Sequence, residues 1–189
     1  MGAFAAGETA ALETLYLRYK KPVYSWIVRM TGDAAESEDL YHEAWFRIAR
    51  AAGRYKADSF KAWLWRIVRN LVIDAARKKR PVLILDAPLE DGCGEDGETT
   101  LADVLPDPAG NIAGESLDDE KTKAAMAEAV AALPPTHREV ILLRTVSCLS
   151  FREIAELLHV PAGTVLARMH RATAKLRAHV KEKRMRGAT

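Results

Sequence analysis

Residues 81–120 contain twelve Asp or Glu and no Lys or Arg, and this one stretch decides how the rest of the chain can fold. Pro81, Pro88, Pro106 and Pro108 interrupt it, together with glycines at 92, 94, 97, 110 and 114. Only Val82–Leu85 and Leu101–Leu105 offer short apolar anchors. Such a composition breaks helices and buries too little to hold a packed core. The chain is therefore expected as two bodies, residues 1–80 and 115–189, joined by a flexible acidic linker over 81–114. The overall net charge of +2 conceals this division. Residues 1–80 carry fifteen basic and nine acidic side chains, net +6, and residues 121–189 carry thirteen and five, net +8. Two basic bodies suit a polyanion such as nucleic acid. Soluble helices also carry Lys and Arg, so charge alone does not choose between the two readings.

Other function classes are narrowed by what is missing. No apolar run approaches the ~18 residues that would span a bilayer. Met1 to Leu12 lack the basic flank and apolar stretch of a signal peptide. Cys93 and Cys148 stand far apart without a CxxC partner, which suits a reducing cytoplasm and supports neither a zinc site nor a disulfide framework. There is no nucleophile motif, Gly-rich phosphate loop or metal-ligand spacing. No catalytic residue, metal or cofactor is expected, and the chain is read as a non-enzyme.

Strand alternation does not persist outside the linker, so both bodies are expected to be all-α, each with four helices. In the first, a helix over about Glu8 to Tyr19 carries Leu12, Leu15, Tyr16 and Tyr19 on one face. Pro22 suits the start of a second helix, where its missing N–H costs nothing. That helix presents Val23, Ile27 and Met30 and is stopped by Gly32. Asp33 with Glu36 is a capping-box pattern for a third helix burying Leu40, Ala44 and Ile48. Ser59 caps the fourth, where Phe60, Leu64, Ile67, Val68, Leu71 and Ala75 form one apolar stripe. At about 100° per residue, Arg66, Arg69, Asn70 and Arg77 gather opposite that stripe, with Trp63 and Trp65 at its edges. The closing Arg77-Lys78-Lys79-Arg80 would also complement the helix dipole.

The second body opens with a helix over about Glu115 to Leu133, ended by Pro134-Pro135. A helix over Thr136 to Val146 follows. Ser150-Phe151-Arg152-Glu153 is a capping box for a third helix. Val160-Pro161-Ala162-Gly163 then turns the chain into a fourth, striped by Val165, Met169, Ala172 and Leu176. A short helix, a tight turn and a second amphipathic helix make the helix-turn-helix pattern, although plain helical hairpins mimic it. Such a motif lays its second helix in the major groove. Opposite the stripe lie Ala167, His170, Arg171 and Ala174, flanked by Leu166 and Arg168.

These segments resemble the extracytoplasmic-function sigma factors. The resemblance runs through Leu15-Tyr-Leu-Arg-Tyr-Lys-Lys-Pro-Val-Tyr24, Glu38-Asp-Leu-Tyr-His-Glu-Ala-Trp-Phe46 and Trp63-Leu-Trp-Arg-Ile-Val-Arg-Asn-Leu-Val-Ile-Asp74. In the second body it runs through Leu133-Pro-Pro-Thr-His-Arg-Glu-Val140, Leu149-Ser-Phe-Arg-Glu-Ile-Ala155 and Val160-Pro-Ala-Gly-Thr-Val165. It implies that residues 1–80 bind core RNA polymerase and read and melt the promoter −10 element, while 115–189 read the −35 element. By similarity, Asn70 would read a −10 base, Arg66, Arg69 and Arg77 would contact phosphates, and Tyr55 with Lys56 would lie at a flipped-base pocket. Asp39 and Glu43, one helical turn apart, would face the polymerase, although a solvated acidic face reads the same. Arg144, Thr164, Leu166, Ala167, Arg168, His170, Arg171 and Lys175 would form the −35 set. The family implies core polymerase, promoter DNA and an anti-sigma protein as partners. An acidic linker would suit a channel otherwise occupied by RNA, or merely solubility.

The chain departs from the family at three places. His42 stands where Gln is frequent. Thr164-Val-Leu-Ala-Arg168 replaces the usual Thr-Val-Lys-Ser-Arg, removing a cation and a hydroxyl from the DNA face. Cys148 replaces a glycine before Leu149-Ser150, a strained choice if that turn needs φ > 0. A stand-alone helix-turn-helix regulator is the competing reading, and it would bind duplex DNA tightly without polymerase.

Overall fold

The computed structural model describes residues 9–56, 59–79 and 120–186. The acidic linker lies outside them. All regular structure in the described residues is helical: α1 (Thr9–Thr31), α2 (Ala34–Ala51), a 3₁₀ turn (Ala52–Arg54) and α3 (Phe60–Lys79) in the first module. In the second are α4 (Glu120–Ala131), α5 (Pro135–Thr145), α6 (Phe151–Leu158) and α7 (Ala162–Arg186).

The first module has three long helices where four were expected, because α1 runs through Pro22. A helix-interior proline costs about 3 kcal/mol or more. The apolar stripe nevertheless continues in register across it, from Leu12, Leu15 and Tyr19 to Val23, Trp26, Ile27 and Met30. Val23, Trp26 and Ile27 are completely buried. At roughly 1.5–3 kcal/mol for each large apolar side chain, their burial outweighs the proline. Gly32, with φ of 73°, ends α1. The Asp33 carboxylate accepts the Glu36 N–H at 3.0 Å to start α2. Glu36 does not complete the capping box; its carboxylate reaches Lys79 at the end of α3, 2.8 Å away. The core between the helices includes Leu40, Ala44, Ile48, Leu64, Trp65 and Val68, with Trp26 and Trp65 meeting edge to face at 5.8 Å. Trp65 is thus wholly interior, not at a stripe edge.

The second module follows its expected order. Arg138 of α5 donates to the carbonyls of Val130, Ala131 and Leu133, satisfying the unpaired end of α4. Ser150 and Glu153 form a complete capping box for α6. The long helix α7 packs on α4, α5 and α6. Its stripe of Val165, Met169, Ala172 and Leu176 is buried, as its spacing predicts.

The modules touch. α1 packs against α4 and α5, and α3 against α6. Helix α5 shows why the contact is intimate: Val140, Ile141, Leu142 and Leu143 are all buried. Four consecutive positions sweep most of a helix circumference, so α5 has no apolar stripe with a wet back and is covered from both modules.

Candidate nucleic-acid interface

On α3 the stripe turns Phe60, Leu64, Trp65, Val68, Leu71 and Val72 inward, and helical geometry leaves Arg66, Asn70 and Arg77 exposed on a common face. Arg69, expected beside them, is drawn to one flank. Its Nε donates to Glu139 of the second module at 2.7 Å, and the two side chains are 21% and 8% exposed. Tyr55 is half-buried, its ring 5.3 Å from that of Trp63 and 6.0 Å from that of Phe60. Lys56 is exposed. These rings support the approach to α3, and Trp63, half-buried, belongs to the same cluster.

Asp39 is exposed on α2, and Glu43 one turn later is half-buried. Arg47 pairs with Glu43 at 2.6 Å, so the mild repulsion between the two carboxylates is offset on their own helix. An open groove of about 550 Å³ between α2 and α3 is lined by Asp39, Glu43, Asp74, Arg77 and Lys78 among others, interleaving both signs of charge. Next to it, α1 and α2 present Tyr16, Tyr24 and Phe46, each more than one-third exposed, around a half-buried Tyr41 and Trp45. Burial and the neighbouring Tyr16 push the Tyr41 phenol above its usual range.

In the second module the turn into α6 is held by Arg144. Its guanidinium donates to the Leu149 carbonyl at 3.0 Å and lies over the Phe151 ring, 5.1 Å from its centre. Cys148 in that turn has φ of 51°, and His159, ending α6, has φ of 56°. Both are left-handed positions where a side chain costs roughly 1–2 kcal/mol relative to glycine. The Val160 N–H then bonds the Ala155 carbonyl at 3.1 Å, completing the helix-turn-helix corner.

On α7, Ala167, His170, Arg171 and Lys175 are exposed together, with Thr164 and Leu166 half-buried beside them. Arg168 is not on that face; it is only 8% exposed. Two cations of the expected −35 set, Arg144 and Arg168, are therefore engaged in the body of the module. Burial depends on tertiary neighbours, which a single-helix projection does not contain. Lys61, Arg138 and Glu139 carry much of the local architecture; Lys61 lies outside every motif, and Arg138 and Glu139 lie in a matched segment that did not announce these contacts.

Family models of Sigma-70 region 2 and Sigma-70 region 4 match residues 15–82 and 123–176. The ECF RNA polymerase sigma factor SigW of Bacillus subtilis is 32% identical over 93% of this chain and 92% of its own length. The RNA polymerase sigma-H factor of Pseudomonas aeruginosa is 34% identical over 88% of this chain and 84% of its own. The chain belongs to the extracytoplasmic-function sigma factors of the sigma-70 family. The fold agrees with CnrH, solved with the cytosolic domain of CnrY (TM-score 0.64, 21% identity, 96% of this chain and 94% of that one). It agrees equally with RpoE of Bartonella quintana, solved with the anti-sigma factor NepR (TM-score 0.64, 23% identity, 89% and 96%).

Proposed function

We propose that this chain binds core RNA polymerase in the cytoplasm, directs it to promoters and opens the −10 region, without catalysis of its own. The observation that carries the reading is similarity to a sigma factor along nearly the whole chain, covering both modules in order. The first module, about residues 1–80, takes the −10 element and the polymerase. Asn70 suits base readout because an amide both donates and accepts at a base edge. Arg66 and Arg77 share its exposed face and suit phosphates; Arg69 joins them once released from Glu139. Stacking on aromatic rings contributes roughly 1–3 kcal/mol per base, which makes Tyr55, with Lys56 nearby, suited to an extruded base. Asp39 and Glu43 suit a basic surface of the polymerase. The second module, about 115–189, takes the −35 element through His170, Arg171 and Lys175, with Thr164, Leu166 and Ala167 able to meet sugar, phosphate or a thymine methyl. An anti-sigma protein, such as the one solved with RpoE of Bartonella quintana, is proposed as the restraint.

The test is capture on immobilised core polymerase, followed by promoter opening with Asn70→Ala. Retained capture with impaired −10 recognition is expected. Loss of capture would contradict the assignment of Asn70, and absence of capture by the unaltered chain would contradict the function.

A further inference from the structure

The match to Sigma-70 region 4 ends at residue 176, but α7 runs on to Arg186. One side of this added length serves packing: Leu176 is buried, and Lys183 ion-pairs with Glu128 of α4. On the opposite side Arg177 and Lys181 are exposed, one helical turn apart. At about 100° per residue they continue the row that His170 begins. Ala174 and Ala178, also exposed, lie between this row and the one holding Arg171 and Lys175, so no long side chain keeps a partner away from either. Glu182, the one acidic side chain of α7, falls in the second row, beyond Lys175. Among the described residues no side-chain hydrogen bond or ion pair engages Arg177 or Lys181. Two cations at this spacing repel mildly on their own helix. Both stand before the last turn, so the helix dipole does not account for them. Their placement calls for an external anion.

Length decides which anion they meet. At a rise of 1.5 Å per residue, Lys181 stands about 25 Å along the axis from Thr164. The major groove is about 12 Å wide, and a straight helix that enters it by its N-terminal half leaves the curving groove within such a distance. Side chains this far along have passed the base edges and meet the sugar-phosphate strand at the rim. We propose that Arg177 and Lys181 hold backbone phosphates beside the −35 element, extending the second module's footprint past the bases it reads. The inference rests on the −35 role proposed above for α7. Phosphate contacts carry no sequence information, but they fix register and orientation on the duplex. Arg144 and Arg168 are taken up inside the module. Arg177 and Lys181 return that charge to the DNA surface without adding base readout. Affinity for a −35 duplex is then set partly by DNA outside the element.

The test uses the full chain assembled on core polymerase and a promoter that this holoenzyme selects from a library. Methylphosphonates neutralise the phosphates flanking the −35 element, on one side or the other. The double variant Arg177→Ala with Lys181→Ala should lower the slope of log affinity against log salt by about 2, at roughly 0.9 for each phosphate. It should leave capture by core polymerase and the preferred −35 bases unchanged. Neutralising the contacted flank should cause the same loss in the unaltered chain and no further loss in the variant. The exchange Arg177→Lys with Lys181→Arg keeps both charges and should keep the slope. Circular dichroism checks that the helices persist, and both positions are exposed. An unchanged slope in the folded double variant overturns the proposal. So does equal sensitivity of variant and unaltered chain to neutralised flanks on both sides. Loss of capture with the slope intact also overturns it, because the cations then serve the polymerase. If the unaltered chain selects no promoter, the −35 role has failed. The salt slope on random-sequence duplex then judges the two cations alone, and no difference between variant and unaltered chain overturns their contact with phosphate.

Discussion

The two modules use their arginines in opposite ways. In the first, Arg66 and Arg77 stand exposed on α3, and Arg69 is held from outside by the other module. In the second, Arg138 closes the end of α4, Arg144 braces the turn into α6, and Arg168 is buried. Residues 121–189 have the larger formal charge, yet Arg138, Arg144 and Arg168 among them are taken up within their own module. On the proposed reading, net charge overstates what this module would offer to phosphates, and more of the −35 discrimination would fall to Arg171, His170 and the small or apolar side chains beside them.

This comparison is open to direct challenge. Arg138→Ala removes three hydrogen bonds from a charged donor and should destabilise the second module by about 2–4 kcal/mol in denaturant unfolding, since such bonds contribute roughly 1.5–3 kcal/mol each and water replaces part of the loss. Arg144→Ala should cost about 1–2 kcal/mol of stability by losing one charge-assisted bond and a ring contact. Arg66→Ala should leave stability within roughly 0.5 kcal/mol while lowering the salt slope of DNA binding by about 1. If Arg144→Ala instead spared stability and lowered the salt slope, the division between bracing and reading would be wrong. His159→Gly and Cys148→Gly should each stabilise the chain by about 1 kcal/mol, because they release left-handed backbone; a loss of stability would show the side chains to be needed there.

The smallest effect concerns acid. Burial works to raise the Glu153 carboxyl, but the N–H and hydroxyl of Ser150, with Lys61 and Ser59, outweigh it and hold the group below its ordinary value. A depressed folded value means stability that is full above the unfolded value and lost as pH falls through the folded one. Glu153→Gln should therefore flatten the acid limb of the stability curve below about pH 4.5, measured by urea unfolding across that range.

Local chemistry made much of this molecule legible in its sequence. The α7 stripe, the Ser150–Glu153 capping box and the Gly32 stop are set by residues a few positions apart, and they fold as read; the α3 stripe is rotated to bury Trp65 and Val72 more deeply than Ile67 and Ala75. Pro22 misled because its helical cost is local while the burial that overrides it comes from Trp26, Ile27 and their partners on other helices. The same reason hid the inward turn of Arg144 and Arg168 and the capture of Arg69 by Glu139. Each depends on a neighbour supplied by the tertiary fold. Positive φ at Cys148 was signalled by the departure from glycine, whereas His159 announced nothing beyond its place at the end of a short helix.

The central claim is that both modules serve one promoter while mounted on polymerase. Its most direct test is transcription by purified core polymerase on a promoter library, with and without the chain. The account predicts discrete start sites that appear only when the chain is added, downstream of paired sequence elements at a fixed spacing. Transcripts indifferent to the chain, or tight specific duplex binding by the free chain with no initiation, would contradict it.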